Sequence, residues 1–315
     1  MHAYKAPFWL PDGHSQSIYP SLFRKVPLTH SHSERLELPD GDFLDVDWHL
    51  RKGELHEKPL LIVSHGLEGD SRRHYITGLI RSFPEFHALA WNYRSCSGDP
   101  NRNLRFYHSG ATDDLDFVIQ EALSRGVKDI YLAGFSLGGN LSLKWLGENG
   151  KKASQFVRKA VAFSVPLHLS SSSQQLTRRE NRLYTHRFLQ TLLEKVTEKS
   201  ARYPMDITPS MLTSIRSLYD FDNVITGPLH GFKDAEEYYE RNSSLYFLAD
   251  IQVPTLIVNA KNDPFLSQEC LPEQIDSDFV RIELPDSGGH CGFYPRNYRG
   301  QTWAEQRAAA WFNGN

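Results

Sequence analysis

The chain has 315 residues, 40% of them hydrophobic, and a mean hydropathy of −0.48; this length can bury a large core, either as one α/β domain or as a core with an insertion. A formal net charge of −3 and a pI near 6.5 exclude the basic footprint of a protein that binds nucleic acid or an anionic membrane surface. Three cysteines, Cys96, Cys270 and Cys291, make no disulfide framework and fit a reducing cytoplasm; the N-terminus has no signal-peptide core, and no run is long enough for a membrane span.

Residues 1–33, rich in Pro, His and Ser, read as an extended arm laid over the domain. Arg35 to Leu38 and Phe43 to Leu50, joined by Pro39-Asp40-Gly41-Asp42, read as a hairpin. Its second strand alternates Phe43, Val46, Trp48 and Leu50 with acids, which predicts one buried face. Pro59-Leu60-Leu61-Ile62-Val63-Ser64-His65-Gly66 reads as a continuous apolar run without alternation, as in a parallel strand covered on both faces. Ser71 to Phe83 reads as a helix and His87 to Trp91 as a strand. Asp113 to Ala122 is an amphipathic helix with Leu115, Val118, Ile119 and Ala122 on one side and Gly126 just beyond it. Asp129 to Ala133 and Lys159 to Val165 are further strands, with a helical segment from Leu141 to Leu146 between them.

The alternation then breaks. From Leu167 to Asp250 the sequence reads as mostly helical, with one short serine run, Ser170 to Ser173. Leu183, Phe188, Leu189, Leu192, Leu193 and Val196 make one apolar face; Met211, Leu212, Ile215 and Leu218 make another; Tyr238, Tyr239, Leu245, Tyr246 and Leu248 make a third. An insertion of this size between two strands predicts a cap over the strand ends. Basic residues from Lys195 to Arg241 alternate with acids, as on solvated helix faces. Strands resume at Val253 to Ala260 and Phe279 to Leu284, and a helix carries Trp303, Ala304, Ala308 and Trp311. The expected architecture is α/β: a mostly parallel sheet with helices on both faces, formed by residues 1–166 and 251–315, with residues 167–250 as the helical cap.

The strand at Ile130 runs into Gly134-Phe135-Ser136-Leu137-Gly138 and then a helix. Strand, sharp turn and helix in that order are what a nucleophile elbow requires. The two glycines allow strand and helix to cross closely, and the turn lifts the Ser136 hydroxyl out of the sheet edge. Chance can produce Gly-x-Ser-x-Gly, so its company decides. A serine hydroxyl needs a base, and the base needs an acid to hold its tautomer. With an elbow the chain order is serine, acid, histidine, each after a strand. Asp263 follows the Leu256 strand, though an Asp before Pro264 is also a turn former; Asp286 is the fallback. His290 sits among Gly288, Gly289 and Gly292 beyond the last strand. His65, His74 and His108 precede Ser136 and break the order. Two backbone N–H groups are needed for an oxyanion: Leu137 offers one, and Leu67, in Ser64-His65-Gly66-Leu67-Glu68-Gly69, offers the other. His65 and Gly66 read as turn-shaping, Glu68 as an exposed loop acid and Cys291 as a packing residue. His14, His30 and His32 lack metal-ligand company, and no metal or cofactor is expected.

These pieces, together with Pro7-Phe8-Trp9-Leu10, Gly13-His14-Ser15-Gln16-Ser17, Asn92-Tyr93-Arg94-x-Cys96-Ser97-Gly98, Tyr107-His108-Ser109-Gly110 and Tyr219-Asp220-Phe221-Asp222, span nearly the whole chain. In them the sequence resembles the YheT-like branch of the α/β hydrolases, relatives of the ABHD-type lipid hydrolases. The resemblance implies an α/β-hydrolase fold with a helical cap, a Ser136–Asp263–His290 triad and hydrolysis of carboxylic or lipid esters. The expected substrates are short- to medium-chain acyl or lipid esters, cleaved through an acyl-enzyme. The competing readings are a hydrolase-fold binding protein that has lost catalysis, or the same triad acting on a thioester or amide. The His14 to Gln16 stretch is expected to pack the arm near the cleft.

Overall fold

The computed structural model describes residues 4–28, 32–203 and 207–314; His30 lies outside them. Among these residues one eight-stranded sheet runs in the order β1-β2-β4-β3-β5-β6-β7-β8. β1 (His32–Glu37) and β2 (Phe43–His49) form the expected hairpin, and β2 also pairs antiparallel with β4 (His87–Trp91). β3 (Leu60–Ser64), β5 (Ile130–Phe135), β6 (Val157–Phe163), β7 (Thr255–Val258) and β8 (Val280–Glu283) extend it with parallel pairings.

Side chains of a strand point alternately to opposite faces, and the core divides accordingly. Leu60, Ile62, Leu89, Leu132 and Ile257 pack with Leu115, Val118 and Ile119 of α3 (Thr112–Ser124) and Leu141 and Leu146 of α4 (Leu137–Ala153). Leu61, Val63, Ala133, Val161 and Val258 pack on the other face, against Ile76, Leu79 and Ile80 of α2 (His74–Arg81) and Ala304, Ala308 and Phe312 of α11 (Trp303–Phe312).

Two expectations for the N-terminal region change. Residues 13–23 are a helix, α1 (Gly13–Phe23), rather than extended arm. Asp12 caps it: the Ser15 N–H donates to Asp12 Oδ1 at 2.8 Å, and the Asp12 N–H donates back to Ser15 Oγ at 3.3 Å. That is a reciprocal capping box built with serine in place of Glu or Gln. The second strand of the hairpin is buried on both faces, because it lies inside the sheet and the chain around Ser71 and Asn92 covers its acidic side. Asp47 is therefore buried and accepts a hydrogen bond from Ser71 Oγ at 2.5 Å.

Between β6 and β7 the described chain is helical: α5 (Leu169–Leu176), α6 (Arg182–Arg202), α7 (Pro209–Ser214), α8 (Leu218–Phe221), a π-helical turn (Asp222–Thr226), α9 (Gly227–Leu229), α10 (Ala235–Asn242) and a 3₁₀ run (Ser244–Asp250). Leu189, Leu192 and Val196 of α6 pack with Ile215, Leu218, Phe221 and Ile225. Leu183, expected on that face, is exposed. Lys199, near the other end of α6, is buried, its ammonium donating to the carbonyls of Asn103 and Arg105. The expected Met211–Leu218 face divides between two helices, because Ser217 caps a new one: the Asp220 N–H donates to Ser217 Oγ at 3.1 Å. Tyr246, expected in the third face, is 53% exposed. Asn140 of α4 ties this segment to the sheet. Its amide donates to the carbonyls of Ser109 (3.0 Å) and Asn242 (2.9 Å) and accepts the Ser244 N–H at 2.9 Å. Among the described residues no helix is long and apolar enough to cross a membrane.

Candidate active site

β5 ends at Phe135 and α4 begins at Leu137, so Ser136 alone makes the turn, at φ 54° and ψ −120°. A non-glycine residue in that region is strained and persists only where its surroundings over-determine it. The strand and helix cross too closely for side chains at the flanking glycines. A Cβ on Gly134 would lie 2.4 Å from the Gly138 carbonyl oxygen, and one on Gly138 would lie 2.4 Å from that of His65.

The structure brings Ser136, His290 and Asp263 together from three loops at the carboxyl ends of strands. Ser136 Oγ is 2.9 Å from His290 Nε2, and His290 Nδ1 is 2.9 Å from Asp263 Oδ2 and 3.1 Å from Oδ1. The Asp263 side chain is buried. Its Oδ1 also accepts the Phe265 N–H at 2.9 Å, so the aspartate forms its own turn while it faces the histidine. The Phe265 ring stacks on His290 with centroids 4.1 Å apart. Burial disfavours the charged imidazole, but the Asp263 carboxylate, with Cys291 beside it, outweighs burial and raises the His290 pKa above its ordinary value. Asp286 is not part of this chain of bonds; it pairs with Lys261 at the surface, 2.9 Å away.

Leu137 opens α4, so its N–H has no carbonyl behind it in the helix. The loop after β3 lies against Ser136: a Cβ on Gly66 would be 3.2 Å from that of Ser136. In this loop the Gly66 N–H donates to Tyr75 Oη, the Glu68 N–H to Tyr107 Oη and the Gly69 N–H to the Gly66 carbonyl. Among the described residues the Leu67 N–H has no such acceptor. His65 shapes the turn from inside. It is fully buried, its Nδ1 is 2.8 Å from the Gly66 carbonyl oxygen, and Tyr93 Oη donates to its carbonyl at 2.6 Å. Burial pulls its pKa down to about 3, so it is a neutral structural ring. Glu68 is not the exposed loop acid expected. Its side chain is 8% exposed, its Oε1 lies 2.8 Å from Lys195 Nζ of α6 and it accepts Tyr107 Oη–H at 2.6 Å.

Sequence reasoning missed what holds the histidine loop. Gln16 Oε1 accepts the Gly288 N–H at 2.8 Å and the Asn262 side-chain amide at 3.1 Å, and thereby joins the acid loop to the histidine loop. Ser17 Oγ accepts the His290 N–H at 2.7 Å, and Ser164 Oγ accepts that of Cys291 at 2.8 Å. The available signal was the Gly13-His14-Ser15-Gln16-Ser17 stretch, whose place near the cleft was expected without a role. His14 itself reaches toward the helical segment, with Nδ1 3.3 Å from Tyr184 Oη.

A cavity of about 350 Å³ opens beside Ser136 and His290. Leu169, Leu176, Leu192, Leu218, Phe221 and Phe265 supply much of its apolar wall.

The sheet order and the elbow define the class, and comparison with known proteins agrees with it. Residues 59–296 match the family of the alpha/beta hydrolase fold, and the chain belongs to that family. Within it the chain is 35% identical to the YheT protein of Escherichia coli (strain K12), whose name proposes an esterase, over 95% of this chain and 89% of that one. It thus stands in the YheT-like branch and is a carboxylic-ester hydrolase by kinship. It is 30% identical to a monoacylglycerol lipase of Saccharomyces cerevisiae, over 78% of this chain and 57% of that one, and 25% identical to the phospholipase ABHD3 of Homo sapiens, over 90% and 72%. Among solved structures, an esterase of Pyrococcus furiosus, Pf2001, shares the fold with a TM-score of 0.57 at 14% identity, covering 90% of this chain and 92% of that one.

Proposed function

We propose that the chain cleaves carboxylic esters through an acyl-enzyme on Ser136. The observation that carries this is the unbroken run of hydrogen bonds from Ser136 Oγ through His290 to Asp263, at 2.9 Å for each link. His290 Nε2 takes the hydroxyl proton as Oγ attacks the acyl carbon. The Leu67 and Leu137 amides receive the oxyanion, a stabilisation needed only once charge develops. The Asp263 carboxylate holds Nδ1–H and offsets the imidazolium charge. His290 then protonates the leaving alcohol, and water, activated by the same ring, releases the acid and restores Ser136.

The substrates are short- to medium-chain acyl esters or lipid esters. The apolar cavity supports this, as do relatives named esterase, monoacylglycerol lipase and phospholipase. Residues 167–250 act as the cap that completes the cavity over a core of residues 1–166 and 251–315, and the protein works in the cytoplasm. Ser136→Ala should lower kcat on a chromogenic short-chain ester about 10⁴-fold or more and abolish labelling by a fluorophosphonate, with the fold retained by circular dichroism. Activity that survives the substitution would overturn the assignment.

A further inference from the structure

Among the described residues two carboxyl groups line the cavity, and only that of Glu68 has a cation, Lys195, as its partner. Asp222, the last residue of the Tyr219-Asp220-Phe221-Asp222 stretch, begins the π-helical turn and lines the cavity together with Ser172, Ser173, Thr226 and Tyr239. π-turns are uncommon and recur at functional sites. Thr226 Oγ1 donates to Asp222 Oδ1 at 2.6 Å, and Tyr239 Oη donates to Oδ2 at 2.7 Å. Tyr239 Oη also lies 3.0 Å from Ser173 Oγ. Among the described residues no cation contacts this carboxyl group; its partners are hydroxyls. Burial raises its pKa to about 6, so at neutral pH it is largely a carboxylate on the cavity wall.

Each carboxylate oxygen has one donor and room for a second. The mechanism makes no use of this group, and a carboxylate on a cavity wall is costly unless something pairs with it. A substrate hydroxyl fits best. It can donate to Asp222 and accept from a neighbouring serine, and it loses far less hydration on entry than an ammonium group would. We propose that Asp222 is the specificity residue of the cavity and receives a free hydroxyl carried by the ester substrate. The inference rests on the proposed ester hydrolysis and narrows it to hydroxylated esters: those with the hydroxyl on the alcohol, as in a polyol monoester, or on the acyl chain.

The test uses two matched pairs of equal acyl length: a glycerol monoester and its di-O-methyl ether, and a hydroxyacyl methyl ester and its O-methyl ether. In the unmodified protein, kcat/KM should favour the free hydroxyl by about tenfold or more in one pair, the scale of a hydrogen bond to a charged group; the pair that responds identifies which side carries it. Asp222→Asn should bring that ratio close to one. Because the O-methyl comparison needs no variant, it stands even if Asp222→Asn does not fold. Equal rates in both pairs, or a ratio that survives Asp222→Asn, would overturn the proposal and leave Asp222 as a brace between the π-turn and α10. Calorimetric binding of the same four esters to the Ser136→Ala protein separates the two readings, since it requires no turnover. A tenfold preference in Kd without turnover in the unmodified protein would sustain the Asp222 site and remove the catalytic reading; equal Kd values would remove the Asp222 site.

Discussion

Replacing Asp263 with Asn tests the acid–base logic of the site directly. The His290 ring and the Asp263 carboxylate are both largely buried and 2.9 Å apart. With charge centres about 4 Å apart and an effective dielectric of about 20, their attraction is about 4 kcal/mol. Burial opposes the imidazolium but does not cancel this, so the His290 pKa is raised. In the proposed mechanism the neutral ring is the working base. Activity in the unmodified protein should therefore rise with pH along a limb centred above the ordinary histidine value of about 6.5. Asn removes the attraction and keeps the burial, so the pKa should fall below about 6.5 and the limb should move to lower pH. The plateau should drop about 10³- to 10⁴-fold, or about 4–5.5 kcal/mol of barrier, because the tautomer and the imidazolium both lose their partner. The assay is kcat/KM on a chromogenic ester between pH 5 and 10. A limb in the unmodified protein at or below pH 6.5, an unmoved or upward-moving limb in Asp263→Asn, or a plateau loss of less than tenfold would refute the reasoning.

How much of this was legible in the sequence depended on whether burial and apolarity coincide. At β3 and β4 they do: every residue of both strands is buried, and apolar runs announce them. The elbow was legible because its geometry admits few residues, and the acid and histidine because loops after buried strands are few. At α1 burial and apolarity are inverted. Its buried residues are Gly13, Gln16, Ser17 and Pro20, while Ile18, Leu22 and Phe23 are exposed. A helix that buries hydrogen-bonding side chains on the loops carrying Asp263 and His290 has no apolar stripe to read. Glu68 failed for a related reason. Its partner Lys195 lies 127 residues away in sequence, and no local pattern signals a contact between the loop after β3 and α6. The Met211–Leu218 face failed because a capping serine, Ser217, restarted the helix inside what looked like one period.

Two further expectations follow from close contacts at the elbow and in the loop after β3. In Gly138→Ala the new methyl would lie 2.4 Å from the His65 carbonyl oxygen and 2.5 Å from that of Ser64, all backbone that cannot rotate away. The urea midpoint should fall by an equivalent of about 1–3 kcal/mol, with activity falling alongside it, and an unchanged midpoint would contradict the packing. Lys195→Met removes the cation that Glu68 meets at 2.8 Å. Glu68 holds a left-handed backbone, φ 52°, next to Leu67, and such a conformation lasts only while its contacts hold it. Tyr107 would be the remaining partner of the Glu68 carboxylate, while Arg73 still donates to the Glu68 carbonyl at 2.8 Å; the loop should loosen, and the proposed oxyanion donor with it. Because the oxyanion exists only in the transition state, kcat should fall about tenfold with KM nearly unchanged, and Lys195→Arg should restore most of the loss. If Lys195 served only to pack α6 against the core, the two parameters would not separate in this way and the denaturation midpoint alone would move.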